Sequence, residues 1–476
     1  MLNQLDATEL VGLLKRRDIS ALELLDAYAL QIEAANPTLN AIVSLDLDRA
    51  RDAARVVDQT RAQGTALGVL AGLPMGIKDT EVTGGIRTTF GSPIFRDFVP
   101  EADSALVQRL RHAGVILIGK TNVPEFGLGS HTFNTVFGAT RNPWNTGLSA
   151  GGSSGGAAAA VTSCLLPFAD GSDFGGSLRN PASFNNLVGL RTTAGRIARY
   201  PVHDAFAGFT VNGPLARSAA DAALLLSAMA GPDLRDPSSI DADPDRFRDS
   251  LEADFTGVRI AFSATLGGLP VAQDVAETTR RALRRLEALG CVVEEDQPSF
   301  AGADEAFETL RSLSMASQYA TLLKTRRADL KDTAVWNIEA GLALSATEIA
   351  NALTLRTRMF QNMRSFLDRY RFLVCPVSQV SPFPIEQPYP VEIAGTALGH
   401  YLEWMRSCSR ITISAHPAIS IPGEFTTTGM PIGLQVVGRY RDEWSLLQLA
   451  HALESVGDVA RRRPPTLNPV ASSAKP

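Results

Sequence analysis

Three segments of this chain carry residue types that could do covalent chemistry. Lys78 follows the apolar run GLPMGI. Residues 151–156 read GGSSGG, and residues 171–186 read GSDFGGSLRNPASFNN. A Lys held in an apolar setting loses solvation of its ammonium, so its pKa falls and it can act as a neutral base near pH 7. Two neighbouring hydroxyls could then pass a proton between a nucleophile and that amine. The turn Phe174-Gly175-Gly176-Ser177 could aim several backbone N–H groups at one oxyanion, because Gly permits a tight concave turn. From residue types alone, an equal reading makes the Gly-Ser stretches plain connections and Lys78 a surface charge.

Two other motifs compete. Gly114–Thr121 reads GVILIGKT and satisfies G-x-x-x-x-G-K-[ST]. A phosphate-binding loop needs its middle residues wrapped around phosphate. Val, Ile, Leu and Ile there predict a buried strand instead, and Asn122-Val123-Pro124 does not open a helix. Gly151–Gly155 fits G-x-S-x-G, the nucleophile elbow of α/β-hydrolases, with Ser153 as nucleophile. The helix after it is expected, but the stretch NPWNTGLSA before it reads as loop. Of the six His, His416 lies beside Pro417 and His451 on a helix, and both read as structural.

The elements that must position these groups alternate between strand and helix. Residues 6–35 predict two amphipathic helices, the second capped by Ser20 and Glu23 in S-x-x-E spacing and ended by Asn36-Pro37. Residues 39–45 read as a buried strand, followed by a helix to about Arg61. Residues 73–78 and 115–118 are apolar and strand-like, with a helix at 104–113 and loop at 83–92. From 121 to 156 the chain is loop-like. Residues 157–164 predict a helix of small residues, and 165–195 return to Gly, Ser and Pro. A capped apolar helix at 219–230 precedes a β-α-β unit at 258–293. Residues 303–370 are mainly helical, 372–375 form a strand, 376–390 a Pro-rich loop, 418–422 and 433–437 strands, and 442–456 a helix. This order favours an α/β fold with a largely buried mixed sheet.

The 476 residues, 45% hydrophobic and 20% charged, suffice for a large core. A net charge of −5, from 45 Lys+Arg against 50 Asp+Glu, argues against a nucleic-acid coat. No apolar run approaches the ~18 residues of a membrane helix. The first residues, with Asp6, Glu9 and a basic cluster, do not read as a signal peptide. The four scattered Cys contain no C-x-x-C and fit reduced thiols in a cytoplasm. No HExxH or Cys/His cluster has metal-ligand spacing, so neither metal nor cofactor is expected.

From Lys78 to about Arg196 the chain resembles the amidase signature family of Ser-Ser-Lys hydrolases. The matching pieces are GIKD (76–79), AGVILIGKTNVPEFG (113–127), RNPW (141–144), GGSSGG (151–156), GSDFGGSLRNPA (171–182) and GLRTTAGR (189–196). Weaker likeness continues through HPAISIPGEF (416–425) and GMPIGLQVVGR (429–439). The resemblance implies a single large α/β/α domain over 1–460, a central mixed sheet with helices on both faces. Its signature core would span about 70–200, a variable substrate-pocket region about 300–410, and a mobile tail 461–476. It implies Ser177 as nucleophile, Ser153 as bridging Ser after a cis peptide, and Lys78 as base. Phe174, Gly175, Gly176 and Ser177 would supply the oxyanion hole, Asp173 and Arg179 would brace that loop, and Ser154 would support Ser153. Gly127 would line the substrate channel and Ala150 its mouth.

The chain departs from the family pattern at Asp170, Phe174 and Thr192. Asp170 reads best as a solvated or loop-capping carboxylate, and Phe174 is expected to narrow the acyl side of the oxyanion loop. The implied reaction is hydrolysis of a small-molecule amide, carbamate or ester through a Ser177 acyl-enzyme. The rivals are a glutaminyl-tRNA amidotransferase-type subunit, an inactive binding protein on the same fold, and the elbow reading. The apolar and aromatic residues Phe307, Met315, Tyr319, Trp336, Phe383 and Tyr389 read either as pocket or as core. Dimers are common in the family, which allows a homodimer.

Overall fold

The computed structural model describes residues 1–465. Eight strands form a mixed sheet in the order Val292–Glu295, Arg259–Phe262, Phe372–Pro376, Pro431–Val437, Ala418–Phe425, Val188–Arg191, Val211–Ala216, Phe168–Asp173. The first three pair in parallel and the remaining neighbours antiparallel. A second sheet sets Ile116–Thr121 between Ile42–Leu45 and Pro74–Lys78.

Successive side chains of a strand point to opposite faces, and here they enter two different cores. Ile260, Phe262, Phe372, Val374, Ile419 and Val436 pack with the helices Ala21–Leu39, Ala219–Met229, Gln273–Ala288 and Glu443–Glu454. Ala261, Leu373, Cys375, Ala418 and Val437 pack with Ala303–Arg326, Ala346–Arg369 and Arg406–Ile413. The large sheet is therefore covered by helices on both faces, an α/β/α architecture.

Most predicted elements form within a few residues of their expected bounds. The helix capped by Ser20 does have the reciprocal bonds with Glu23. It does not end at Asn36-Pro37 but runs to Leu39, with Pro37 inside its last turns. Asn36 sustains this: its side-chain oxygen accepts from the Ala41 and Ile42 N–H groups, and left-handed Asn40 donates to the Asn36 carbonyl. GVILIGKT is no phosphate wrap, because Ile116–Thr121 is the buried middle strand of the smaller sheet.

The stretch 165–195 departs most from expectation. It holds the strand Phe168–Asp173, the helix Arg179–Phe184 and the strand Val188–Arg191. The first strand lies at the edge of the large sheet, beside the edge strand Pro74–Lys78 of the small one. Across that seam the Lys78 backbone N–H donates to a side chain, Asp170 Oδ1, at 3.0 Å. The tail expected to be mobile, 461–476, is described only to 465. Arg461 closes a short 3-10 turn, and 466–476 lie outside the described residues.

Candidate active site

Lys78 is the last residue of its strand and is fully buried. Its Nζ lies 2.8 Å from both Ser153 Oγ and Ser154 Oγ, 2.9 Å from Ser172 Oγ and 3.3 Å from the Ser172 carbonyl. Burial pushes the ammonium down to about 8, against the pull of Asp170, Asp173 and Glu81. Lys120 is equally buried and also pushed down to about 8, first by burial. Its Nζ, however, donates to the Glu81 carbonyl and the Thr83 hydroxyl, and to no Ser among the described residues. Geometry, not burial, thus singles out Lys78.

The GGSSGG loop enters the buried helix Gly155–Thr162. Thr132 fastens the loop: its hydroxyl donates to the Gly151 carbonyl and accepts from the Gly155 N–H. Gly156 must lack a side chain, since a Cβ there would lie 2.3 Å from the Asn122 nitrogen. The Gly152–Ser153 peptide is cis. Ser154 does not hydrogen-bond Ser153 as expected. Its hydroxyl meets Lys78 and the Ser172 carbonyl, and its N–H donates to the Ser177 carbonyl at 3.2 Å. That last bond ties the two serine loops together.

The next loop is organised by Asp173. Its carboxylate accepts from the Gly176 and Leu178 N–H groups and from Arg179 at two points, 2.9 and 3.0 Å. Arg191 adds a contact at 3.3 Å. Burial alone would raise the Asp173 carboxyl, but Arg179 and Arg191 outweigh it and hold the group well below the usual carboxylate range. The Gly176 N–H is consumed here and is not free for an oxyanion, which corrects the four-donor expectation. The Gly175 and Ser177 N–H groups bond to nothing among the described residues. The Ser177 hydroxyl makes no hydrogen bond among the described residues and opens onto the same cavity as Ser153.

That cavity holds about 700 Å³ and is lined by Gly127, Ser153, Ser172, Phe174 and Ser177, with Phe90, Phe95, Phe126, Phe209 and Tyr319 around them. Gly127 has φ +70, and a Cβ on it would come within 3.3 Å of Ser153 Oγ. Ala150 does not line the cavity. It is fully buried, with its carbonyl accepting from Asn185, so its expected place at the mouth does not hold. Phe174 stacks on Phe209 at 5.4 Å and meets Phe307 edge-on at 5.7 Å, so one wall of the 174–177 turn is aromatic.

Among the six aromatic and apolar residues of the variable region, Met315 and Tyr319 reach the cavity. Phe307 supports Phe174 from behind, and Phe383 and Tyr389 belong to a separate cluster around Trp404. Trp336 packs on His400 and Tyr401. The elbow reading gains a short strand before its Ser, Asn145–Ser149, but belonging only to a two-stranded hairpin. Among the described residues no His hydrogen-bonds Ser153: His203 lines the same cavity without such a bond, His131 bonds Ser149 and the Ile385 carbonyl, His416 bonds the Ser414 carbonyl and His451 bonds Glu252.

Asp170 is not solvated. It is fully buried, caps the Lys78 N–H with one oxygen and leaves the other unpartnered. Burial, reinforced by Glu81, pushes it up to about 7 against the Lys78 N–H, Lys120 and Lys78. Ser172 was not foreseen from the sequence. The signal was the two-residue period of a strand, which puts Asp170 and Ser172 on the face that meets Lys78.

A buried amine among three hydroxyls, beside a turn whose Gly175 and Ser177 N–H groups bond to nothing among the described residues, is an arrangement suited to attack on a carbonyl carbon. The chain belongs to the amidase family: the family model Amidase matches residues 23–447. It is 35% identical over 467 residues to an acylamidase of Rhodococcus erythropolis, covering 97% of this chain and 98% of that one. It is 36% identical over 484 residues to a glutamyl-tRNA(Gln) amidotransferase subunit of Moorella thermoacetica, covering 97% and 98%. A bacterial aryl acylamidase of the amidase signature family superposes with a TM-score of 0.90 at 30% identity, covering 97% of this chain and 99% of that one. A 6-aminohexanoate cyclic dimer hydrolase superposes with a TM-score of 0.88 at 29% identity, covering 98% and 99%. The protein is thus an amidase-signature hydrolase acting on carbon–nitrogen bonds of amides. Among the described residues no helix is long and apolar enough to cross a membrane.

Proposed function

We propose that this amidase cleaves small-molecule amides, and carbamates or esters of similar shape, through an acyl-enzyme on Ser177. Neutral Lys78 accepts a proton through Ser153 while Ser177 Oγ attacks the carbonyl carbon. The Gly175 and Ser177 N–H groups receive the oxyanion. The proton returns along the same path to the departing amine, and water then attacks the ester with the roles repeated. The single observation that carries this reading is the contact of the buried Lys78 Nζ with Ser153 Oγ at 2.8 Å, in the cavity that Ser177 also lines.

Replacing Ser177 by Ala removes one hydroxyl from a site whose loop is held by Asp173 and Arg179, so the fold is retained. Turnover of a 4-nitroanilide should fall by several orders of magnitude, as nucleophile losses do. An Ala variant keeping more than about a tenth of wild-type kcat would end the assignment.

The 36% identity to an amidotransferase component favours a second reading, in which the chain supplies ammonia within an assembly. That reading requires glutamine as the preferred amide. Steady-state comparison of glutamine with a chromogenic anilide on the isolated chain separates the two.

A further inference from the structure

The helix Ala303–Arg326 turns one face to the cavity, through Arg311, Ser314, Met315, Gln318, Tyr319 and Leu322, with Ser317 at its margin. These positions follow helical spacing, so a single stripe supplies that wall. Arg311 is the charged member of the stripe and is only 4% exposed.

Arg311 lacks the partner its burial calls for. Its Nη2 donates to the Tyr401 hydroxyl at 3.1 Å. That hydroxyl also receives the Asn337 amide at 2.7 Å, so it is already shared. Nε is buried without any partner, and Nη1 bonds to nothing among the described residues. Among the described residues no carboxylate lies within ion-pair distance of Arg311, whereas Arg179, Arg191, Arg406 and Arg410 all have one. The charge that does feel Arg311 is another cation, Lys331. That group is pushed down to about 8, by burial first and then, against the pull of Glu125, by Arg311 itself. The guanidinium lies 5.2 Å from the ring centre of Phe174, the residue that opens the oxyanion turn.

A buried guanidinium is costly unless paired and hydrogen-bonded, and its planar fork matches a carboxylate in two-point geometry. We infer that Arg311 is a specificity-determining residue that receives a carboxylate of the substrate, so that the preferred amides carry a free carboxylate on an apolar or aromatic frame. The inference rests on the cavity being the amide-binding site proposed above. The aromatic lining takes the frame, and Arg311 takes the anion at the Phe174 wall. Helix packing alone does not account for the residue, since a Met of similar length would fill the same space without an unpaired charge.

Calorimetric titration with 4-phenylbutanoate and 4-phenylbutan-1-ol tests this without any turnover. Wild type should bind the acid at least tenfold more tightly than the alcohol. Arg311→Met should weaken the acid at least tenfold and leave the alcohol within threefold, and Arg311→Lys should fall between. An acid bound no better than the alcohol by wild type would overturn the inference, and this arm needs no variant to fold. Equal weakening of acid and alcohol in Arg311→Met would assign the side chain to packing. Unchanged acid binding in that variant would place the carboxylate in the oxyanion turn instead. Failure of the proposed Ser177 mechanism shows separately, as wild-type-like turnover by Ser177→Ala of a 4-nitroanilide that carries a free carboxylate.

Discussion

Lys78 and Lys120 are two lysines with similar burial and different neighbours, and the role proposed for Lys78 rests on that difference. A base must be within hydrogen-bond reach of the proton it takes, and only Lys78 reaches the GGSSGG hydroxyls. Arg keeps its proton near pH 7. Lys78→Arg is therefore expected to lose nearly as much kcat/KM as Lys78→Ala. Substantial activity in the Arg variant would make Lys78 a structural cation. In the proposed mechanism the active form is the neutral amine, so kcat/KM of the free enzyme should rise with pH through about 8 and then level off. A profile that rises only near the ordinary Lys value of ~10.4 would contradict a base depressed by burial.

At the scale of elements, the Asp173 turn is where charge and fold depend on each other. Arg179 and Arg191 are both buried against that one carboxylate. Asp173→Asn leaves two buried guanidinium groups without their counter-ion, and such losses cost roughly 3–5 kcal/mol. Ser20→Ala, which removes one cap of an otherwise well-packed helix, should cost only about 1 kcal/mol. Denaturant unfolding of both variants measures the contrast, and equal midpoints would show that the Asp173 turn is not held by charge. Ser20 was legible in the sequence because a capping box is a local pattern. The strand Phe168–Asp173 was not, because its inward residues Asp170 and Ser172 are polar. They satisfy Lys78 instead of a hydrophobic core, so no apolar alternation marks them. The Lys78–Ser153 contact and the cavity that Ser153 shares with Ser177 were expected only through resemblance, since the three residues lie far apart along the chain and no local pattern joins them. The consumption of the Gly176 N–H by Asp173 and the burial of Ala150 depend on tertiary contacts that no local pattern encodes.

At the scale of the whole molecule, two cores on opposite faces of one sheet hold the cavity at the sheet's edge. The helix Ala303–Arg326 packs its first half into one core, joins a smaller cluster through Met315 and Leu323 and walls the cavity, while the helix after GGSSGG and the strand before Ser177 belong to the other core. In the proposed mechanism chemistry and the Arg311 selectivity lie on different layers, and they should separate under mutation. An amine must be protonated to leave, whereas a phenoxide leaves unaided. Ser153→Ala should then depress kcat/KM for an anilide more than for the phenyl ester of the same acid, with a carbamate between. Equal fractional losses would require another proton path. The most direct test of the account is to map the covalent intermediate. Wild-type enzyme quenched in acid during turnover of an activated phenyl ester, digested and sequenced by mass spectrometry, should carry the acyl group on Ser177. An acyl group on Ser153, with Ser177 unmodified, would contradict it.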